Sequence, residues 1–273
     1  MARTCKRTTD FTPQTGSLWK DGRQWALALP MAIGLCLGPI SAPSAFADRD
    51  TPQFHSGACT GAYPGWLRGV SDGYNNLTAS PVENPTSVLI RVPTPDILPK
   101  GDARLGFGDG LQEGFKLGVA YGAELAKASR TRQSPQDQLV ALSGALKTYM
   151  DVHCVTPATA LDWETTFLND RGTATIASLN EALVAMHLAV SANQLANAAE
   201  DAARSAQEAQ ARGDQPAVQA FLDAAKLHAR TAADFADLAK SHAAAGREEA
   251  TQAIMDAQSS AERARKAVDD IGN

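Results

Sequence analysis

Gly106-Phe107-Gly108-Asp109-Gly110-Leu111-Gln112-Glu113-Gly114-Phe115-Lys116-Leu117-Gly118-Val119-Ala120-Tyr121-Gly122 sets a glycine at every fourth position. Gly61, Gly65, Gly69 and Gly73 repeat the spacing earlier in the chain. The two stretches also align locally. Gly69-Val70-Ser71-Asp72-Gly73-Tyr74 and Gly110-Leu111-Gln112-Glu113-Gly114-Phe115 both read glycine, apolar, polar, acid, glycine, aromatic. Glycine costs a helix nearly 1 kcal/mol per residue relative to alanine. A strict spacing of four, however, lines the glycines along one helical face, where another backbone can approach closely. The pattern therefore predicts two helices with side-chain-free faces. Three uses remain open: packing of the faces on each other or on a third helix in a small bundle, a self-association surface, or a membrane-associated glycine zipper. Arg68, Asp72, Asp109, Glu113 and Lys116 lie in the same helices and make lipid exposure costly.

Working outward, Pro64 suits the first turn of the first glycine helix, which is expected to reach about Leu77. Asp102 is the expected N-cap of the second, ending near Ser129. Between them, residues 78–101 hold Pro81, Pro85, Pro93, Pro95 and Pro99, which forbid a long helix. Ser87 to Val92, with Ile90 at its centre, reads as a short edge strand or an extended loop, and long ordered loops often carry contacts. Ser134-Pro135 starts a third helix, whose stripe Leu139, Leu142, Leu146 and Tyr149 leads to Cys154. Thr156-Pro157 is expected to open a short fourth helix with Leu161, Trp163, Phe167 and Leu168, ending by Gly172.

The N-terminal 47 residues carry Arg3, Lys6, Arg7, Lys20 and Arg23, an apolar run from Trp25 to Leu37, and Ala45-Phe46-Ala47 as a cleavage site. Positive, apolar and small-residue zones in that order predict an export signal, and with it a periplasmic or secreted protein. The signal carries five of the 25 basic and two of the 30 acidic residues, leaving 20 and 28, a net charge of −8. That balance argues against nucleic acid or anionic lipid as a non-specific partner. No later stretch reads as apolar enough to cross a bilayer. Of four cysteines, Cys59 and Cys154 remain after cleavage, and an oxidising compartment favours a bridge between them over two buried thiols.

Composition shifts near residue 172. Residues 48–171 form the expected helical head, and residues 173–273 an alanine-rich arm with Pro216 as its only proline. The arm repeats every 3.5 residues: Ile176, Leu179, Leu183, Met186 and Val190, then alanine seams beyond Leu195, Val218 and Ala250. This predicts a coiled-coil-like hairpin or bundle, broken at Gly213-Asp214-Gln215-Pro216. The heptad phase runs unbroken from Ala243 through Gly246 to Ala250, so residues 217–270 read as one long helix or as two folded back at Gly246. The arm is expected to serve as spacer, partner-binding or self-association element.

The chemistry of catalysis is thinly represented. No H-E-x-x-H, Cys-x-x-Cys, G-x-S-x-G or phosphate loop is present, so neither a metal nor a cofactor is expected. Asp72 and Glu113 hold equivalent repeat positions and are the one candidate carboxylate pair for an envelope hydrolase. A non-enzymatic interaction protein is the leading reading, with Trp66, Asp72, Tyr74, Ile90 and Glu113 as candidate contact residues.

Cys59-Thr60-Gly61-Ala62-Tyr63 followed by Trp66-Leu67-Arg68-Gly69-Val70-Ser71-Asp72 resembles the type VI secretion amidase immunity family. The apolar helix from Leu139 to Cys154 is similar to that family's closing helix. The resemblance spans residues 59–154. It implies a small, disulfide-bonded, periplasmic helical domain that binds and blocks a cell-wall amidase.

Overall fold

The computed structural model describes residues 50–75, 101–154, 170–243 and 247–271. Its described elements are all helical: α1 (Pro52–Asn75), α2 (Asp102–Arg130), α3 (Gln136–His153), α4 (Asp170–Ala211), α5 (Gln215–His242) and α6 (Arg247–Asp269). The expected export signal, the proline-rich segment with Ile90, and the residues Leu161, Trp163, Phe167 and Leu168 of the expected fourth helix lie outside the described residues.

The glycine faces of α1 and α2 pack on each other. A Cβ built on any of Gly57, Gly61, Gly65, Gly69 and Gly73 would sit closer than 3.0 Å to a backbone oxygen of α2. The reverse holds for Gly106, Gly110, Gly114, Gly118 and Gly122 against α1. Gly57 extends the stripe one turn beyond the sequence reading. Contacts step forward together, from Gly57 with Ala103 to Gly73 with Val119, so the two helices run parallel. Their starts are tied as well: the Thr51 hydroxyl donates to Asp102 Oδ2 at 3.1 Å. A helix of 24 residues is about 36 Å long. The end of α1 and the start of α2 are thus at opposite ends of the pair.

Four boundaries differ from expectation: α3 opens at Gln136 with Pro135 in the capping position, α4 runs on through Gly172, where the sequence predicts a helix end, and the starts of α1 and α2 are shifted. Thr51 accepts from the Phe54 N–H (3.2 Å) and Pro52 opens α1, so Pro64 is an interior residue and not a first-turn one. At α2 the capping position belongs to Gly101, with φ 60°, and Asp102 is the first helical residue.

Breaks in the alanine-rich half fall where glycine and proline mark them. Gly213 adopts φ 74°, Asp214 Oδ1 accepts from the Ala217 N–H (3.2 Å), and Pro216 sits in the first turn of α5. α5 ends at His242 and α6 begins at Arg247, so the heptad run is two helices. α4, α5 and α6 run up, down and up through a seam of Ala196, Ala199, Ala232 and Ala264.

The change in composition near 172 is not a boundary in the core. One hydrophobic cluster takes residues from all six helices, including Trp66, Val70 and Tyr74 of α1, Leu125 of α2, Leu146 of α3, Met186 of α4, Ala239 of α5 and Ala257 of α6. The arm therefore packs along the glycine pair and does not project from it as a spacer. One sequence expectation is also corrected: Ala174–Ala211 is, by length and composition, apolar enough to cross a membrane. Alanine raises its hydropathy without bulk, and a third of that window is buried inside the protein.

Candidate interaction groove

Cys59 on α1 and Cys154 after α3 are joined, with Cα atoms 5.0 Å apart. The bond pins the end of α3 beside the first half of α1. That attachment matters because α3 fully buries Leu146 alone; Leu139, Leu142, Tyr149 and Met150 pack against the core only in part.

Between α1, α3 and α4 lies an open apolar groove of about 630 Å³. Tyr63 and Trp66 form one wall, Leu146, Met150 and Cys154 another, and Leu183 closes the third side. Lys147 and Asp151 stand at its rim and pair with each other. An aromatic ladder runs inward from the groove. Tyr63 stacks on Trp66 (5.9 Å, 21°), Trp66 meets Tyr121 (5.3 Å, 58°), and the Tyr121 hydroxyl lies 3.2 Å from His187 Nε2. The Tyr63 hydroxyl donates to Asn180 Oδ1 at 2.8 Å, which orients the outermost ring. Trp66 is 7% exposed and its indole N–H is buried without a partner. Burial lowers the His187 pKa below its ordinary value, favouring the neutral ring.

A second, smaller cavity of about 210 Å³ is polar. It is lined by Ser129 and Arg130 of α2, Asn193 of α4, and Asp256, Ser259, Ser260 and Arg263 of α6. Asp256, only 9% exposed, accepts at Oδ2 from the Tyr74 hydroxyl (2.9 Å), Ser129 Oγ (3.1 Å) and Arg130 Nε (2.9 Å). Burial first, then the Asp256 charge, pushes the Tyr74 phenol far above its ordinary range. Asn193 Nδ2 donates to the carbonyls of Ala128 and Thr131, at 2.7 Å each. It thereby satisfies oxygens that the end of α2 leaves without helical partners. Ser129, Arg130, Asn193, Asp256, Ser260 and Arg263 already have protein partners, so the cavity is a clamp between the glycine pair and the alanine-rich helices.

The predicted contact residues scatter. Trp66 lines the groove, but Tyr74 is fully buried in the clamp and offers no surface. Asp72 pairs with Arg68 at 3.1 Å, and Glu113 pairs with Lys116 at 2.6 Å. Asp72 and Glu113 do not converge. Gly73 packs at Val119 and Gly114 at Ala62, so the packing register differs from the repeat alignment and separates the two acids by roughly 10 Å along the pair. The hydrolase alternative thus loses its carboxylate pair. Neither glycine stripe is left free for a membrane or a second copy, because each covers the other. Among the described residues no group of three or more His, Cys, Asp or Glu could hold a metal ion.

Sequence reasoning missed Tyr63, Leu146, Met150 and Leu183 as neighbours. For Tyr63, Leu146 and Met150 the signal lay in the disulfide: once Cys154 is set against Cys59, α3 residues one and two turns earlier must face α1 one turn later. No family model, curated protein or solved structure matches this chain.

Proposed function

We propose that this chain is an exported, non-enzymatic protein-interaction protein of a bacterial periplasm, and that its docking surface is the apolar groove between α1, α3 and α4. The observation that carries the reading is the groove's make-up: stacked Tyr63 and Trp66 over Leu146, Met150 and Leu183, with charge confined to the rim. Buried aromatic and aliphatic anchors inside a polar rim are what interface hot spots use. Small-molecule pockets are also mainly apolar, but they fix their ligand with a few convergent polar groups. Here Lys147 and Asp151 are spent on each other. The occupant is an apolar side chain of a protein partner. The resemblance to amidase immunity proteins supports a blocking role for the complex.

The test is affinity capture from native periplasm with the mature protein and with its Leu183→Glu and Tyr63→Ala variants, their folds checked by circular dichroism. The expected outcome is a near-stoichiometric protein retained by the parent and lost from both variants. Equal retention by all three would remove the groove from the account. Recovery of the chain alone would favour the second reading, self-association through α5, whose Phe221, Leu227 and Leu238 are each more than a third exposed. N-terminal sequencing of the same material is expected to begin at Asp48.

A further inference from the structure

His55 on α1 and His153 on α3 meet Nδ1 to Nδ1 at 2.8 Å. Their ring centroids are 4.9 Å apart, so both nitrogens lie between the rings, close to the line joining the centres. That is the geometry of one proton shared between two imidazoles. A neutral ring has one N–H and one bare nitrogen, so a donor can face an acceptor; with both rings charged, donor faces donor. Two imidazoles on a metal would instead converge at an angle on a point about 2.0–2.1 Å from each nitrogen. No third ligand joins them among the described residues.

The pair occupies the joint that holds α3. His153 precedes Cys154, and His55 lies one helical turn before Cys59, so the disulfide keeps the two rings within reach of each other. Tyr149 packs on His153 at 4.5 Å and donates from its hydroxyl to Asp109 Oδ2 at 2.8 Å, binding α3 to α2. Phe54 also packs against His153, at 6.0 Å. Asp109 favours a charged His153, and Glu113, further along α2, acts on Tyr149. Asp102 at the head of α2 takes the Thr51 hydroxyl, and Lys147 and Asp151 of α3 satisfy each other. Asp50, just before α1, is likewise partnered.

We propose that His55 and His153 form a proton-operated latch: one shared proton clamps the end of α3 to the start of α1, and a second proton breaks the clamp and loosens α3. The latch does not depend on what occupies the groove. Its pH window follows from its surroundings. Burial, and secondly the His55 charge, hold the His153 pKa below the ordinary imidazole value of 6.5, against the opposing pull of Asp109. As pH falls, the unfolded chain therefore takes up the proton before the folded protein does. Stability is full above that value and declines as pH drops through it.

Thermal melting of the oxidised protein at about pH 7.5 and pH 5, compared with His153→Gln and His55→Gln, tests the latch. Glutamine keeps a polar amide but does not titrate in this range. On acidification the parent is expected to lose about 2–4 °C more than either variant. Histidine titration by NMR supplies a readout that needs no variant: His153 is expected to take up its proton below the ordinary imidazole value, in a step coupled to the neighbouring ring. Equal acid sensitivity in parent and variants would overturn the latch. So would independent titration of both rings near the ordinary value, even where a variant fails to fold.

Discussion

Gly114→Ala offers the sharpest test of the parallel glycine pair, because helix propensity and packing predict opposite signs. Propensity alone promises nearly 1 kcal/mol of stabilisation from replacing a mid-helix glycine by alanine. At Gly114, however, the new methyl would meet the carbonyl oxygen and carbon of Ala62 and the amide nitrogen of Trp66, all within 3.0 Å. These are backbone atoms and cannot swing aside like the tip of a side chain, so the helices must separate. Overpacking of that kind costs about 1–3 kcal/mol in ordinary cores, and more where the backbone itself must move. After the propensity gain is subtracted, a net loss of about 2 kcal/mol remains, and the melting temperature falls by about 4–8 °C at this size. The control is Gly144→Ala in α3, where nothing lies within 4 Å of the added methyl. That variant is expected to rise by about 2–4 °C. Both are read by thermal and urea unfolding of the oxidised protein. If Gly114→Ala is as stable as Gly144→Ala, the close parallel pair is wrong.

Three further outcomes follow from other joints. Reducing Cys59–Cys154, which closes a sequence separation of 95, is expected to cost roughly 4–5 kcal/mol on the chain-entropy model; urea unfolding with and without reductant measures it, and an unchanged midpoint would count against the bond. Asp256→Ala leaves Arg130 without its carboxylate in the clamp and removes one of the two partners of the Tyr74 hydroxyl, Ser129 remaining; it is expected to cost about 2–3 kcal/mol, short of a fully buried pair because Arg130 is a third exposed. A loss below about 0.5 kcal/mol in urea would show that the clamp holds nothing. Asn193→Leu removes the two hydrogen bonds to the end of α2 and is expected to cost about 1–3 kcal/mol, with faster amide exchange near Thr131 as its local signature.

Much of the helical architecture is legible in the chain, since spacing of four and spacing of 3.5 both report which face is covered. Gly213 and Pro216 mark the α4–α5 break in plain view. Thr51-Pro52 marks the start of α1 just as plainly, by capping oxygen and first-turn proline, but Pro64 masks it as a second proline with the same local preference. Register was the harder matter. Gly69 and Gly110 align as a repeat, yet Gly69 packs at Phe115 and Gly118, because a glycine face fits its neighbour equally well when shifted by whole turns. The apparent pairing of Asp72 with Glu113 came from that ambiguity. Tyr74 looked like a surface aromatic because nothing nearby in sequence predicts Asp256, which reaches it from α6. The groove and the His55–His153 pair are likewise invisible locally; they exist only once the disulfide brings α3 across α1.

The central claim is that the groove beside Cys154 is where a protein partner docks. Site-specific photo-cross-linking in native cells tests it most directly, with the probe placed at Tyr63, at Met150 or, as a control, at Leu227 on the exposed side of α5. Adducts of one size from positions 63 and 150, absent from position 227, are the predicted result. An adduct from position 227 alone, or none from the groove while the parent protein still captures its partner, would contradict it.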